Sequence, residues 1–230
     1  MRLAAVTQRG PGKAKSDDRI LINGRILSEE ALFADDIPIT RIAVADGVGG
    51  NPGGDLAAEF ICAALRECPV TEAALTEINR ALLAYAGTQP GCGQMAAAVS
   101  GVDLAENRIF HVGNTRVCAL RHGYLRQLTR DHTAQGLFGA EEAGNAPKNE
   151  IFCCFGGGNA QLFRPELGDY AGQKLLLLTS DGIHDHISAE ETEQIMRLMP
   201  DLRACADALL RQALQNGSHD DCSLAIVQTE

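Results

Sequence analysis

The chain has 230 residues, enough for one large core, and 45% of them are apolar, which is typical of a soluble globular protein. A formal net charge of −10 excludes the basic surface with which proteins bind nucleic acid. No apolar run reaches the roughly 18 residues of a membrane span, and the first ten residues lack the apolar centre of a signal peptide. We therefore expect one domain over residues 1–230, in the cytoplasm.

The predicted elements begin with three short strands and two helices. The strands are expected over Leu3–Val6, Arg19–Ile22 and Ile42–Ala45. The helices are expected over Asp55–Glu67 and Thr71–Ala86. In the first helix, apolar residues recur at the spacing of one helical face. The second follows Pro69, and its threonine-glutamate start is typical of a helix N-terminus.

The middle of the chain is predicted to be antiparallel sheet. Its strands are expected over Met95–Val102, Arg108–Val112, Arg116–Arg121 and Tyr124–Leu128. The short polar breaks between them predict three hairpins. Residues 132–160 are rich in glycine, alanine and asparagine and have little apolar pattern.

The last third of the chain is predicted to hold two more strands and two more helices. The strands are expected over Lys174–Thr179 and Ser223–Val227, and the helices over Ser188–Met199 and Asp201–Gln215. Pairs of helices near both ends, around a strand-rich middle, predict an α+β layered sandwich.

The eight cysteines do not form the pattern of a zinc site, because no Cys-x-x-Cys pair occurs. Cys153 and Cys154 are adjacent and cannot easily bridge each other. Without an export signal, we expect reduced thiols that are mostly buried as small apolar residues.

Acidic residues stand at the ends of four predicted strands. They are Asp17-Asp18, Asp46, Asp181 and Asp220-Asp221. A glycine follows both Asp46 and Asp181, and each of these Asp-Gly pairs on its own is also a common turn. Several carboxylates brought together at buried strand ends would repel one another, unless divalent cations neutralise them. Mg²⁺ and Mn²⁺ prefer oxygen ligands, and a pair of such ions can activate water and polarise a phosphoryl oxygen.

Motifs along nearly the whole chain resemble those of bacterial members of the type 2C, metal-dependent protein phosphatase (PPM) family. The matching segments, in family order, are Lys15–Asp18, Ala43–Gly50, His111–Arg116, Leu125–Thr133, Leu178–Gly182 and Gly217–Ser223. Asp55 also matches an acidic residue that opens the family's next helix. The resemblance implies a four-layer αββα sandwich, with two stacked antiparallel sheets flanked by helices.

The resemblance also implies a site and a reaction. Asp46 would bridge two Mn²⁺ or Mg²⁺ ions, the Gly47 carbonyl would bind one of them, and Asp181 and Asp220 would complete the other site. Asp17 and Asp18 would accept hydrogen bonds from waters around the ions. A metal-bridged hydroxide would hydrolyse phosphoserine and phosphothreonine in proteins, which the resemblance implies are targets of a Ser/Thr kinase.

Three positions depart from the family pattern. Lys13 stands where an arginine usually grips the substrate phosphate, so phosphate binding is expected to be looser, and Arg9 lies nearby. Asn114 replaces the aspartate that helps to hold a third ion, so a third ion is expected to bind weakly or not at all. Val48 replaces the histidine of animal members, as an apolar residue does in bacterial ones.

The histidines and the loop near the site lead to weaker expectations. The histidines close to the motifs, which are nominal candidates for supplying the leaving-group proton, are His132, His184, His186 and His219. His184 and His186 have the spacing of a His-x-His ligand pair, but we expect them to be exposed or to cap a helix. The family carries a flap where this chain has residues 132–160, and here that segment is short. Asn149 is at the position of the flap's terminal asparagine.

Three functions compete at this point. The first is an active phosphoprotein phosphatase, which the retained Asp46, Asp181 and Asp220 favour. The alternative is a catalytically weak pseudo-phosphatase that acts as a phosphoprotein-binding scaffold, which Lys13 and Asn114 would support. A third is a metal-dependent hydrolase of small phosphoesters, which a comparison of peptide and aryl phosphate substrates would separate from the first.

Overall fold

The computed structural model describes residues 1–139, 150–158, 160–170 and 172–229. The strands of its first half are β1 (Arg2–Gln8), β2 (Arg19–Ile22), β3 (Arg25–Leu27), β4 (Ala31–Ala34), β5 (Arg41–Gly47), β6 (Ala96–Asp103) and β7 (Arg108–Val112). Those of its second half are β8 (Arg116–Arg121), β9 (Tyr124–Gln127), β10 (Phe155–Gly156), β11 (Glu166–Gly168), β12 (Leu175–Thr179) and β13 (Cys222–Gln228). The helices are α1 (Gly54–Ala64), α2 (Glu72–Ala86), α3 (Ala134–Phe138), α4 (Asp181–His184), α5 (Ala189–Leu198) and α6 (Leu202–Gln215).

The strands form two antiparallel sheets. The first sheet has the order β4-β1-β13-β12-β8-β9, and the second has the order β11-β7-β6-β5-β2-β3, with β10 also paired to β6. Helices α1 and α2 pack on the second sheet, and α4 to α6 pack on the first. This arrangement confirms the predicted αββα sandwich.

Side-chain alternation along the strands explains the layers. In β5, Ile42 and Val44 face the core between the sheets, whereas Ala43 and Ala45 face α1 and α2. In β12, Leu176 and Leu178 fill the same central core, and Leu177 packs against the helices of the first sheet. A strand buried on both faces needs apolar residues at every position, which accounts for the run of leucines.

The helix starts follow the sequence signals. Thr71, Ser188 and Asp201 are N-caps whose side chains accept hydrogen bonds from the first turns of α2, α5 and α6. Ser188 and Glu191 form a reciprocal capping box. Most cysteines are buried, as expected, and burial raises the pKa of Cys62 to about 12.

Several sequence predictions were wrong in detail. The break at Gly113-Asn114 was expected to be a hairpin, but β7 and β8 belong to different sheets, so the chain crosses between the sheets there. Strands β3, β4, β10 and β11 were missed, since each is only two to four residues long. Helix α1 ends at Ala64 rather than at Glu67.

Candidate metal and phosphate site

Strand register brings the predicted acidic residues to one end of the two sheets. In the first sheet, Thr179 pairs with Leu224 and with Arg116, so the residues just outside β12, β13 and β8 lie side by side. In the second sheet, Arg19 pairs with Ala45, which puts Asp18 beside the end of β5. The carboxylates of Asp46, Asp181 and Asp220 consequently line one cavity of about 170 Å³.

Two glycines allow the backbone segments that carry these carboxylates to meet. A Cβ atom on Gly47 would lie 2.5 Å from the backbone carbon of Gly54, where β5 ends against the start of α1. A Cβ atom on Gly182 would lie 2.0 Å from the carbonyl oxygen of Asp221. In both Asp-Gly pairs, the glycine is required for close backbone packing that holds the preceding aspartate in place.

Asp46 and Asp181 face each other as half-buried acids. Burial and the nearby charge of Asp181 raise the pKa of Asp46 well above its ordinary value. Burial, followed by the charges of Asp220 and Asp185, also raises the pKa of Asp181. The Oδ2 atom of Asp46 is buried without a hydrogen-bond partner. A pair of carboxyl groups in this state needs a shared proton or a cation.

Asn114 contributes a neutral donor to this pair. Its Nδ2 atom donates a 3.0 Å hydrogen bond to Oδ2 of Asp181, while its own Oδ1 atom is buried and unpartnered. The preceding Gly113 donates its backbone N–H to Nδ1 of His132, and the ring of His132 lies 4.7 Å from that of His111. Both histidines are buried, so the segment at Gly113-Asn114, where the chain passes between the sheets, packs against the interior of the protein and holds Asn114 in position.

Lys13 contacts the opposite side of the cluster. Its Nζ atom donates to Oδ1 of Asp220 and, at 3.0 Å, to Oδ2 of Asp221. Partial burial lowers the pKa of Lys13, but the hydrogen bonds to the two aspartates outweigh this effect and raise it above its ordinary value. The predicted phosphate-binding residue therefore lies at the rim of the acidic cavity, paired with a predicted metal ligand.

Asp17 and Asp18 have different environments. Asp17 accepts a 3.1 Å hydrogen bond from the backbone N–H of Asp55 at the start of α1. Asp18 is buried, and its Oδ2 atom has no hydrogen-bond partner. Burial and the charge of Asp221 raise the pKa of Asp18 to about 7. Asp18 therefore adds a further unsatisfied acceptor to the region around Asp46.

The donor set fits hard divalent cations. The unpartnered buried oxygens on Asp18, Asp46 and Asn114 are of the kind that Mg²⁺ and Mn²⁺ bind. Within the described ranges, no three acidic, histidine or cysteine side chains already stand in a complete metal-ligating arrangement. Asp220 is half exposed and is held by Lys13 through Oδ1, so a cation at this carboxylate would compete with the Lys13 ammonium.

The remaining predicted residues lie around the cluster. Val48 lines the cavity. Arg9 donates to the carbonyl oxygen of Ala14 and pairs with Glu29, which makes it a loop-stabilising residue. Nδ1 of His184 is 2.8 Å from Oγ1 of Thr179, and His219 is exposed. Asn149 lies outside the described residues.

Sequence reasoning missed the role of Asp221. This carboxylate is buried and accepts hydrogen bonds from the backbone N–H groups of Gly10 at 2.8 Å and Asp17 at 2.7 Å, in addition to Lys13. It fastens the loop before β2 to the start of β13. The doubled acids Asp17-Asp18 and Asp220-Asp221 were a signal, because in each pair one residue faces the cavity region and its neighbour fixes the loop.

Comparison with known proteins gives relatives along the whole chain, although no family model matches it. The serine/threonine protein phosphatase PstP of Mycobacterium tuberculosis is 26% identical over 244 residues, which cover 98% of this chain but only 44% of that protein. The serine/threonine phosphatase stp of Listeria monocytogenes is 26% identical over 247 residues, which cover 97% of this chain and 94% of that protein.

Solved structures share the fold. The crystal structure of the serine/threonine phosphatase Stp1 from Staphylococcus aureus has a TM-score of 0.82 at 22% identity and covers 100% of this chain and 96% of that one. The catalytic domain of PstP in complex with two manganese ions has a TM-score of 0.75 at 24% identity, with 98% of both chains covered. These relatives support the resemblance of the ordered motifs to the bacterial type 2C family of metal-dependent protein phosphatases, and the solved structures show that the chain shares their fold.

Proposed function

We propose that this chain hydrolyses phosphoserine and phosphothreonine in proteins with the help of Mn²⁺ or Mg²⁺. The observation that carries the proposal is the meeting of Asp46, Asp181 and Asp220 in one cavity, with buried oxygens that lack partners. Clustered carboxylates with buried oxygens that lack hydrogen-bond partners repel one another, and binding cations removes this repulsion. The relatives named as serine/threonine phosphatases, and the two manganese ions of PstP, support this choice of reaction and cofactor.

We assign the cation ligands from the same geometry. Asp46, at the end of β5, would serve both ions, the carbonyl of Gly47 would bind one of them, and Asp181 and Asp220 would complete the site of the other. Asp17 and Asp18 would orient the surrounding waters. Two cations bound there would make water a nucleophile near neutral pH and neutralise charge on the phosphoryl oxygens. The fixed strand ends hold the carboxylates in position before substrate arrives.

Lys13 is the residue that we assign to the substrate phosphate. Its ammonium group lies at the cavity rim, within reach of Asp220, and a single lysine contributes a point charge rather than the two-pronged contact of arginine. Asn114 gives Asp181 a neutral partner where an aspartate would add a charge. With this amide, we expect two ions to bind firmly and a third weakly.

The substrates are phosphoproteins, and we propose that a Ser/Thr kinase supplies them in the cytoplasm. Within the described ranges, no helix has the length and apolar character needed to cross a membrane. The chain spans less than half of the Mycobacterium tuberculosis relative, so that protein's full activity and partners extend to this chain only as part of the proposal.

The direct test is hydrolysis of a phosphothreonine peptide by metal-stripped protein, titrated with Mn²⁺ beside the Asp181→Asn variant. We expect manganese-dependent phosphate release that the variant lacks while it keeps the fold. An aryl phosphate measured in parallel shows whether the peptide is the better substrate. Folded protein that binds the phosphopeptide but releases no phosphate at any Mn²⁺ concentration would contradict the proposal.

A further inference from the structure

An apolar groove adjoins the acidic cavity. It has a volume of about 370 Å³, and Ile151 lines both the groove and the cavity. The other apolar side chains of the groove include Phe152, Leu162 and Phe163. Phe152 is 39% exposed and Leu162 is 54% exposed, so large apolar surface faces solvent directly beside the candidate catalytic centre.

The walls of the groove are fixed by contacts with the rest of the fold. The backbone N–H of Phe152 donates to the carbonyl oxygen of His132 at 3.1 Å, and the two rings stack. Sγ of Cys153 accepts a hydrogen bond from the backbone N–H of Arg164, which ties the two walls together. At the floor, Gly156 donates to Oδ1 of the buried Asn79. A groove held in this way can receive a ligand without first being ordered.

We propose that this groove receives an apolar side chain of the phosphoprotein substrate, a few residues from the phosphorylated serine or threonine. The inference rests on the proposed function, because the phosphate must enter the acidic cavity and the shared Ile151 places the groove directly beside it. An extended segment advances about 3.3 Å per residue, so a side chain a few positions from the phosphate reaches a neighbouring pocket.

Charge and size favour this occupant. The titratable side chain at the groove's edge among the described residues is the exposed Glu150, together with the weakly acidic thiols of Cys153 and Cys154. Burial raises the pKa of Cys154 to about 11, so this thiol is neutral at physiological pH. An acidic residue or a second phosphate on the substrate would meet the Glu150 carboxylate without a compensating cation in this lining. A leucine or phenylalanine side chain fits the volume and is attracted by apolar burial.

The experiment compares phosphothreonine peptides with leucine, alanine or glutamate placed in turn at each of the four positions on either side of the phosphothreonine. Substrate turnover is measured with the manganese-loaded chain and with the Leu162→Glu and Leu162→Ala variants. Leu198→Glu is the matched control, because Leu198 is 70% exposed. It lies at the end of α5, which packs on the first sheet and does not line the groove. An aryl phosphate, too small to span both cavities, reports on the acidic cavity separately.

We expect leucine at one or two adjacent positions to raise kcat/KM about tenfold over alanine, mostly through KM, and glutamate there to lower it. Leu162→Glu should abolish the gain, Leu162→Ala should reduce it, and Leu198→Glu should preserve it, with aryl phosphate turnover unchanged in all three. A wild-type chain without the leucine preference, a preference that survives Leu162→Glu, or equal losses on every substrate would overturn the inference. Absence of turnover on both substrate classes would instead refute the proposed function itself.

Discussion

Asp181 and Asp220 line the same cavity, but their partners differ in charge. Asp181 opens α4 beneath the end of β12 and receives a 3.0 Å hydrogen bond from the neutral amide of Asn114. Asp220 lies on the loop before β13, has half of its side chain exposed, and is paired with the Lys13 ammonium group. The first carboxylate has a neutral partner and lacks a counter-ion among these contacts, whereas the second already has one.

The difference indicates how the centre combines a rigid part with an exchangeable part. The side of Asp181 and Asn114 is supported by buried His111 and His132, so its geometry is set by folding. The side of Asp220 and Lys13 depends on an ion pair near solvent, which is worth at most about 1 kcal/mol. A divalent cation can displace such a pair, after which the Lys13 ammonium would keep its contact with Asp221 and could turn toward the substrate phosphate that we assign to it.

The largest effect is expected from removing the carboxylate that we propose serves both ions. Asp46→Asn keeps the size of the side chain but removes the charge on the buried Oδ2 atom that lacks a partner. Loss of groups that only support metal ligands already costs about 10- to 100-fold, so phosphatase activity should fall by more than about 100-fold. Steady-state hydrolysis of a phosphothreonine peptide measures this, with unfolding experiments to verify the fold. Activity within tenfold of the wild type would exclude Asp46 as a shared ligand.

Asn114→Asp tests the neutral partner directly. The change replaces the amide donor with a second carboxylate 3.0 Å from Oδ2 of Asp181. Without metal, we expect the free energy of unfolding to fall by about 1–3 kcal/mol, because a buried hydrogen bond is lost and like charges meet. Mn²⁺ should restore more stability to this variant than to the wild type. Equal stabilisation of both proteins by Mn²⁺ in urea denaturation would show that position 114 does not face the ions.

The rigid side should also show a defined pH dependence through His111. Burial, with the neighbouring His132, lowers the pKa of His111 to about 3, so its imidazole is neutral in the folded state. The unfolded chain takes up a proton below about pH 6.5, so this contribution is complete above that pH and is lost as pH falls toward 3. Between pH 7 and pH 5 the loss should be about 2 kcal/mol.

His111→Gln removes the titrating group while retaining a donor and an acceptor. Urea denaturation at both pH values should therefore show a smaller loss of stability in this variant than in the wild type. His219→Gln is the control, because His219 is exposed. Identical pH slopes for His111→Gln and the wild type would contradict a buried neutral imidazole at this position.

The smallest effect is expected from the exchangeable side. Lys13→Gln removes the counter-ion of Asp220, and the free carboxylate should bind Mn²⁺ up to about fivefold more tightly, which corresponds to the loss of a weak ion pair. Calorimetric titration without substrate separates this gain from the higher KM expected for phosphopeptide. Lys15→Gln is the matched control, since Lys15 pairs with Asp55 instead. Weaker Mn²⁺ binding by Lys13→Gln would rule out competition between Lys13 and the cation.

Most of the layered fold was predictable because its signals are local. The leucines of β12, the helical spacing of α1 and the caps of α2, α5 and α6 each follow from a few neighbouring residues. The crossing at Gly113-Asn114 was not predictable in this way, because a hairpin turn and a passage between sheets share the same short polar sequence. At the crossing, a Cβ atom on Gly113 would lie 2.3 Å from the Cβ atom of Ala98, a close packing between segments 15 positions apart that local sequence does not reveal.

The candidate site also has a part that local sequence predicts and a part that depends on long-range packing. The carboxylates could be found from their places at the ends of apolar strands, and strand register explains why they meet. The pairing of Lys13 with Asp220 and Asp221, more than 200 residues away in the chain, depends on β1 lying beside β13. The contribution of Ile151 to both the cavity and the groove likewise depends on how a weakly patterned segment packs.

The most direct test of the acidic cluster is anomalous diffraction at the manganese absorption edge from crystals of the chain equilibrated with Mn²⁺. We expect two strong peaks in the cavity, one or both in contact with Asp46, with Asp181 and Asp220 as further ligands and Lys13 moved away from Asp220. Well-ordered crystals that show no peak among these carboxylates at saturating Mn²⁺, or that place manganese elsewhere while Lys13 stays on Asp220, would contradict the account.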